Sequence, residues 1–326
     1  METKLDQLIN LLKDAPDEVF IQPHNVPDPD AIASSLALYY LLSFRGIKKL
    51  GIVYDQEIEK ANSLRMVELF DVPIIRAKDA LTLGTEDWAV LVDVQKGNSN
   101  VTDLPTDEVA VIDHHEYRSD SGCRFEDVRP DVGSCSAIMA DYFFENKIEP
   151  PRNVATALLY GIYMDTDDLT RGSSSLDIDM FYRLYPLSDI SLIVELRGNE
   201  ISVEDLGLYA EAFKTVEIYD ELGFLRLESA NDSLLGAAGD IVVSVSGVNI
   251  AIAYACRPTG VKISARSVTP KAHANELVRC LVEGVGTGGG HDHMAGGFIP
   301  VNNLRPLRSI DTFLKHRAIS WYESLA

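Results

Sequence analysis

Basic charge is scarce in this sequence: 29 lysines and arginines stand against 50 aspartates and glutamates, a net charge of −21. An excess of that size repels extended DNA, RNA or polyphosphate, and no Lys/Arg-rich run offsets it. Cysteine is scarce as well, and Cys123, Cys135, Cys256 and Cys280 form no C-x-x-C pair. Long apolar runs are missing. The longest, from Ile241 to Ala255, is interrupted by Ser, Gly and Asn and is too short to span a bilayer. The segment Met1 to Pro16 is charged and amphipathic, unlike a secretory leader. These absences point to a reduced, cytoplasmic setting. No internal repeat or low-complexity tract is present. What remains is ordinary globular material, 46% hydrophobic and 24% charged. At 326 residues it is long enough for two domains with separate cores.

Short apolar, β-branched runs alternate with helical stretches through the first half. Val19–Val26, Lys49–Tyr54, Val72–Ile75, Trp88–Val94 and Glu108–Ile112 read as strands. Helices are predicted over Asp30–Phe44, Ala61–Phe70, Gly133–Phe144, Asn153–Met164 and Leu176–Tyr185. Strands that are apolar throughout and separated by helices imply a mainly parallel sheet covered on both faces. Pro186–Glu200 reads as a crossover. Ser202 and Asp205 then have capping-box spacing for a helix running to about Tyr219. Beyond it, Phe224–Leu227, Asp240–Val248, Asn249–Cys256 and Val261–Val268 read as strands, and His273–Val282 and Ser309–Ser324 as helices. The expected organisation is a first domain over 1–190, a linker over 191–202 and a smaller α/β domain over 203–326.

Five aspartates and three histidines recur at the ends of the first-half elements. His24-Asn25-Val26-Pro27-Asp28-Pro29-Asp30 follows the first strand, Asp93 follows WAVLV, and Asp113-His114-His115 follows VAVI. Asp165 follows a helical segment. In open parallel sheets ligands gather at the carboxyl ends of strands, where three of these four groups fall. Asp28 and Asp30 also read as helix N-caps, and Asp93 alone as a turn residue. Together, so many carboxylates in one place would repel one another unless cations lay between them. Oxygen-rich sites with one or two imidazoles suit hard or borderline divalent ions, and a pair of such ions suits phosphoester hydrolysis. Pro27 and Pro29 would fix the direction of the Asp28 and Asp30 carboxylates.

The second half offers a glycine-rich segment, Gly286–Gly297, whose backbone could approach a ligand and aim several N–H groups at one anion. Arg266, inside an otherwise apolar strand, reads either as an edge charge or as a fork for phosphate. His273 and His316 read as surface residues, and His293 carries no assignment.

The four acidic blocks resemble the motifs of the DHH phosphoesterase superfamily, in which Asp113-His114-His115 matches the name-giving triplet. Gly288-Gly289-Gly290-His291-Asp292-His293-Met294-Ala295-Gly296 is similar to the GGGH signature of the DHH-associated domain, and Ser264-Ala265-Arg266-Ser267 to the strand that precedes it. The resemblance implies two divalent metals, usually manganese, with magnesium or cobalt as alternatives. His24, Asp28 and Asp93 would hold the first, and Asp30, Asp93, His114 and Asp165 the second, with Asp93 bridging. It implies catalytic roles for His115, facing the substrate phosphate, and Asp113, orienting a neighbouring histidine. It also implies substrate-binding roles for Arg266, Gly288, Gly289, Gly290 and His291, in a cleft between the domains. Pro29, Val26 and Met294 depart from the family pattern without removing a ligand.

Size and domain pairing look most like the NrnA-type enzymes, which shorten very short RNA and dephosphorylate 3′-phosphoadenosine 5′-phosphate. A cyclic or linear dinucleotide phosphodiesterase is the alternative, and a catalytically silent nucleotide sensor the non-enzymatic one. Length and acidity disfavour a long-strand exonuclease, and the GGGH domain disfavours a family II pyrophosphatase. Exopolyphosphatase activity would need a basic channel that the sequence lacks. The expected partners are short oligonucleotides or small phosphorylated nucleotides, with no membrane and no long duplex. A homodimer is compatible with such enzymes, though no residue specifies it.

Overall fold

A computed structural model describes residues 2–58, 60–116, 122–197, 203–228, 230–305 and 308–325. The chain divides into two compact units, Met1–Glu200 and Ile201–Ala326.

The first unit opens with α1 (Lys4–Leu12), started by a Thr3/Asp6 capping box, which buries Leu5, Leu8, Ile9 and Leu12 along one face. There follow β1 (Val19–Gln22), α2 (Pro29–Phe44), β2 (Leu50–Tyr54), α3 (Ala61–Leu69), β3 (Ile74–Arg76), β4 (Trp88–Val92), β5 (Asp107–Asp113) and β6 (Phe125–Val128). The helices α4 (Cys135–Glu145), α5 (Arg152–Asp165), α6 (Ser175–Leu184) and α7 (Ile190–Arg197) complete it. The six strands form a parallel sheet in the order β3-β2-β1-β4-β5-β6. From β1 the chain builds outward through β2 and β3, then returns to the other side of β1 with β4. The carboxyl ends of β1 and β4 therefore flank the topological switch point, where the connecting loops diverge and leave a crevice. Helix α2 is apolar nearly all round and buried over most of its length, packed against α4 and α5.

The second unit contains α8 (Val203–Phe213), β7 (Glu217–Tyr219), β8 (Leu222–Glu228), α9 (Asp232–Val243), β9 (Ile250–Arg257), β10 (Gly260–Ser267), α10 (Ala274–Val282), β11 (Thr287–Gly290), β12 (Met294–Pro300), α11 (Val301–Leu304) and α12 (Ile310–Glu323). Its sheet runs β11-β12-β10-β9-β8-β7, antiparallel except for β8 beside β9. Strand β9 alternates by size. Ile250, Ile252 and Tyr254 join the core under α10 and α12, whereas Ala251, Ala253 and Ala255 face the core containing α8 and α9. The whole is α/β, a parallel sheet covered by helices followed by a smaller α/β domain, as the sequence leads one to expect.

Three local expectations are corrected. Residues 240–248 are not a strand: α9 runs to Val243, because Leu234, Leu235, Ala238 and Val242 recur at helical spacing and bury one face. Part of the expected linker, 191–197, is helix α7, anchored in the first core by Ile193 and Leu196. The helix expected to reach Tyr219 stops at Phe213, and 217–219 pair with β8 instead. The glycine-rich segment forms the hairpin of β11 and β12. A Cβ at Gly288 would lie 2.5 Å from Val278 Cγ1 and 2.9 Å from the Gly296 carbonyl, so glycine there lets α10 and β12 approach closely. Ser202 of the expected capping box lies outside the described residues.

Candidate metal centre

The first unit brings all six proposed metal ligands to its switch point. His24 lies just beyond β1 in a loop tied to its neighbours by Asn25. That side chain's Oδ1 accepts Thr102 N–H at 2.8 Å, and its backbone N–H donates to Asn100 O at 2.7 Å. Gln56 N–H donates to Asn25 O at 3.0 Å, so the loops after β1, β2 and β4 are laced together around it. Asp28 is indeed the N-cap of α2, accepting from the backbone of Asp30 and Ala31. Capping occupies Oδ1 from one side and leaves the carboxylate directed at His24. Asp30, in the first turn, takes Cys135 N–H at 2.7 Å and Ser136 N–H at 2.8 Å with its two oxygens. The N-termini of α2 and α4 thus both point at the cluster, and their positive ends offset part of its charge.

Asp93 follows β4 with φ +60°, a left-handed backbone for a residue that carries a Cβ. Its N–H donates to Ile112 O at 2.9 Å, which sets it beside Asp113 at the end of β5. The strained turn aims one Asp93 oxygen at each histidine. Oδ2 lies 3.8 Å from His24 Nε2, and Oδ1 lies 3.3 Å from His114 Nε2. His24 Nε2 is also 3.8 Å from Asp28 Oδ1. His114 Nε2 is 3.2 Å from Asp165 Oδ2, at the last residue of α5, and 4.0 Å from Asp30 Oδ2. Within each trio, His24/Asp28/Asp93 and Asp30/His114/Asp165, the donor atoms lie within 4.8 Å of one another.

Electrostatics fit a cation here. Asp93 is 3% exposed, and its Oδ1 has no hydrogen-bond partner among the described residues. A buried carboxylate oxygen left that way is costly unless another positive group answers it. His114 Nδ1 lies 3.2 Å from Val132 O and donates to it, turning Nε2 toward the three carboxylates. Burial and the Asp30 carboxylate push Asp93 well above the usual carboxylate range. The same two causes raise Asp165 to about 7. Burial raises Asp30 as well. Burial alone would lower His114, but Asp93, Asp165 and Asp30 carry it well above the ordinary imidazole value. Two trios of oxygen and nitrogen donors, without a thiolate, suit hard or borderline divalent ions.

His115 belongs to neither of these two trios but forms a third candidate group with Asp93 and His114, its Nδ1 3.8 Å from Asp93 Oδ1, and its side chain is 40% exposed. Its Nδ1 lies 2.8 Å from Asp113 Oδ1. Asp113 is wholly buried and also accepts His114 N–H at 2.9 Å and Gln95 Nε2–H at 2.6 Å. Hydrogen bonding to Asp113 raises His115, and against the cost of burial the same contact lowers Asp113.

In the second unit Arg266 lies on β10 over α9. Its Nε donates to Asp240, and its Nη1 donates to Ser264 Oγ at 2.9 Å and Ala265 O at 3.2 Å. Gly236 and Gly239 of α9 leave room for it, since a Cβ on the first would lie 2.9 Å from its Nη2 and one on the second 3.4 Å from its Cγ. Gly288, Gly289 and Gly290 are in β11, and exposed His291 begins the turn to β12 with its N–H on Met294 O at 2.7 Å. His293 Nδ1 lies 3.3 Å from Ser267 O. His273 caps α10 and pairs with Asp292 at 3.4 Å.

Sequence reasoning missed the residues that hold the ligands: Asn25, Gln95, the N–H groups of Cys135 and Ser136, and Gly161. Gly161 on α5 faces Ser136 and Asp30, and a Cβ there would sit 2.1 Å from Ser136 Oγ and 3.1 Å from Asp30 Oδ1. Only the polar Gln95 after an apolar strand carried a visible signal.

Comparison with known proteins agrees with this arrangement. Residues 18–162 match the DHH family N-terminal domain, and residues 221–316 match the DHHA1 domain. An uncharacterized protein of Methanocaldococcus jannaschii is 31% identical over 302 residues, 91% of this chain and 61% of its own length. The cyclic-di-AMP phosphodiesterase PdeA of Listeria monocytogenes is 26% identical over 88% of this chain and 45% of its own. This chain thus spans about half to three-fifths of the length of those two relatives. Among solved structures, an exopolyphosphatase-related protein of Bacteroides fragilis superposes with a TM-score of 0.79 over 99% of this chain and 97% of that one, at 19% identity. With both domain models matched in order, the chain belongs to the DHH/DHHA1 phosphoesterase superfamily.

Proposed function

We propose that this protein is a two-metal phosphoesterase, with manganese as its first choice, acting on short oligonucleotides, 3′-phosphoadenosine 5′-phosphate or both. The observation that carries the reading is Asp93, buried, with one oxygen toward His24 and the other toward His114. One carboxylate shared in this way can join two cation sites. His24, Asp28 and Asp93 would hold one ion, and Asp30, Asp93, His114 and Asp165 the other. Paired ions supply Lewis acidity and a nucleophilic water at neutral pH.

The remaining chemistry falls to this chain's own residues. Asp113 fixes Nδ1 of His115, which turns Nε2 away from that carboxylate on a side chain that is 40% exposed. Nε2 then carries a proton to the leaving oxygen, or to a phosphoryl oxygen as charge builds there. Arg266, Gly288, Gly289, Gly290 and His291 are the proposed nucleotide contacts of the 203–326 domain. Arg266 is held by Asp240 and Ser264 through Nε and Nη1, which orients the rest of its fork. The net charge of −21 favours small phosphorylated substrates over long polyanions.

Likeness to PdeA over 88% of this chain favours a second reading, hydrolysis of cyclic or linear dinucleotides. A silent sensor is disfavoured because each position of both trios carries a ligand-competent side chain. Assaying 3′-phosphoadenosine 5′-phosphate, pApA, pGpG, cyclic di-AMP and a five-mer RNA side by side with Mn²⁺ separates these readings. Turnover of the bisphosphate or the five-mer supports the first, and turnover of cyclic di-AMP alone supports the second. No turnover of any, with binding retained, leaves the sensor. Asp93→Asn should abolish every activity, and retained activity would remove the bridging role.

A further inference from the structure

Two residues beyond Asp93 stands Gln95, 2% exposed. Its Nε2 donates to Asp113 Oδ2 at 2.6 Å and to the Glu116 carbonyl at 3.1 Å, so both amide hydrogens are engaged. Asp113 meets His114 N–H and His115 Nδ1 through its other oxygen, Oδ1. Among the described residues Gln95 alone meets Oδ2, so without it that carboxylate would be held through Oδ1 and could turn about Cβ–Cγ. With it, both oxygens are fixed, and the segment carrying His115 is tied down again at Glu116.

We propose that Gln95 is a positioning residue that sets the plane of the Asp113 carboxylate and, through it, the ring of His115. The catalytic part of this inference rests on the phosphoesterase reading. The residue type matters. A lysine here would pair with Asp113 and weaken its hold on His115, whereas a carboxylate would repel it. A neutral amide supplies a donor to a wholly buried acid while leaving its charge to His115. Strand β4 thereby does two jobs: its end presents Asp93 to the metals, and the next turn orients the dyad at the end of β5. A glutamine that only filled a polar gap in the core would affect stability without favouring one kinetic constant over the other.

Gln95→Met keeps the length of the side chain and removes both donors. Its kcat should fall about tenfold with KM within about twofold, the size of loss usual when an orienting hydrogen bond is removed. In an Asp113→Asn background the same change should alter kcat less than about twofold, because Gln95 acts through that carboxylate. An independent readout is the His115 Nδ1–H resonance in ¹⁵N-histidine-labelled protein loaded with Mg²⁺, assigned by its loss in His115→Ala. It should be sharp in the unaltered protein and broadened by solvent exchange in Gln95→Met. Gln95→Glu, nearly the same shape, should be at least as impaired as Gln95→Met, so a folding defect in the methionine variant does not end the test. An unchanged kcat with an unchanged resonance would overturn the proposal, as would the same loss in the Asp113→Asn background. If the unaltered protein turns over none of the nucleotides, the phosphoesterase reading fails while the resonance still decides what Gln95 does.

Discussion

Gly161→Ala opposes two well-known effects at one atom. Inside a helix, alanine in place of glycine gains about 1 kcal/mol of intrinsic helix stability. At this position on α5, however, the new Cβ would lie 2.1 Å from Ser136 Oγ, 3.0 Å from Ser136 Cβ and 3.1 Å from Asp30 Oδ1. Ser136 can turn its hydroxyl aside, but its Cβ is fixed to α4. Relief therefore requires α4 and α5 to part, and overpacking of this kind costs about 1–3 kcal/mol. Set against the gain in propensity, the clash leaves a net loss of up to about 2 kcal/mol. Asp30 is displaced at the same time, because its two oxygens are fastened to the Cys135 and Ser136 N–H groups. Manganese affinity at the site formed with His114 and Asp165 should fall about tenfold, the usual scale for a disturbed ligand support. Calorimetric titration of Mn²⁺ and thermal unfolding without metal measure the two effects. Ser136→Ala added to Gly161→Ala should recover part of each, since it removes the nearest atom and leaves the other two. A Gly161→Ala protein as stable as the parent, with unaltered affinity for both ions, would refute the reasoning.

The pH dependence of metal-induced stabilisation has a fixed sign. Asp93 and Asp165 are raised in the fold by burial and by Asp30, Asp165 to about 7, and His114 is raised by the carboxylates around it despite burial. Groups raised in this way stabilise the metal-free protein below their unfolded values and lose that contribution as pH climbs through the folded ones. Cations need the deprotonated site, so the rise in Tm on adding Mn²⁺ should be larger at pH 8 than at pH 5.5, and a pH-independent rise would count against the cluster. Arg129 binds Asp127 through Nε and Nη2 at 3.0 and 2.9 Å and Asp141 through Nη1 at 2.8 Å. Arg129→Ala strands the nearly buried Asp127 with Tyr142 alone and should cost about 3 kcal/mol in urea unfolding. A loss below about 1 kcal/mol, the value for an exposed pair, would show that solvent replaces the guanidinium. Arg266→Ala should raise KM for nucleotides more than for a small aryl phosphate, and equal effects on both would remove Arg266 from substrate binding.

The sheet of the first unit was legible because its strands are buried on both faces and so read as unbroken apolar runs, such as WAVLV and VAVI. The candidate ligands stood out for a related reason. Charged residues immediately after such runs are expensive to place there without a purpose, and in a parallel sheet those positions converge. Helix α9 was misread because Ile241, Val242 and Val243 favour strands locally, whereas burial of Leu234, Leu235, Ala238 and Val242 on one helical face prevails. The strands within the glycine run were not legible because periodicity is invisible without side chains. Only the approach of α10 to β12 explains why bulk is excluded at Gly288. Supports such as Gly161 and the N–H groups of α4 were illegible in principle. Their contribution is space or backbone direction, and neither leaves a residue type that marks it.

The account stands on a pair of cations joined through Asp93. Diffraction data collected just above and just below the manganese absorption edge, from crystals grown with excess Mn²⁺, test it most directly. Two anomalous peaks are expected, one against His24, Asp28 and Asp93 and the other against Asp30, Asp93, His114 and Asp165. A single peak that does not touch Asp93, or none at this switch point, would contradict it.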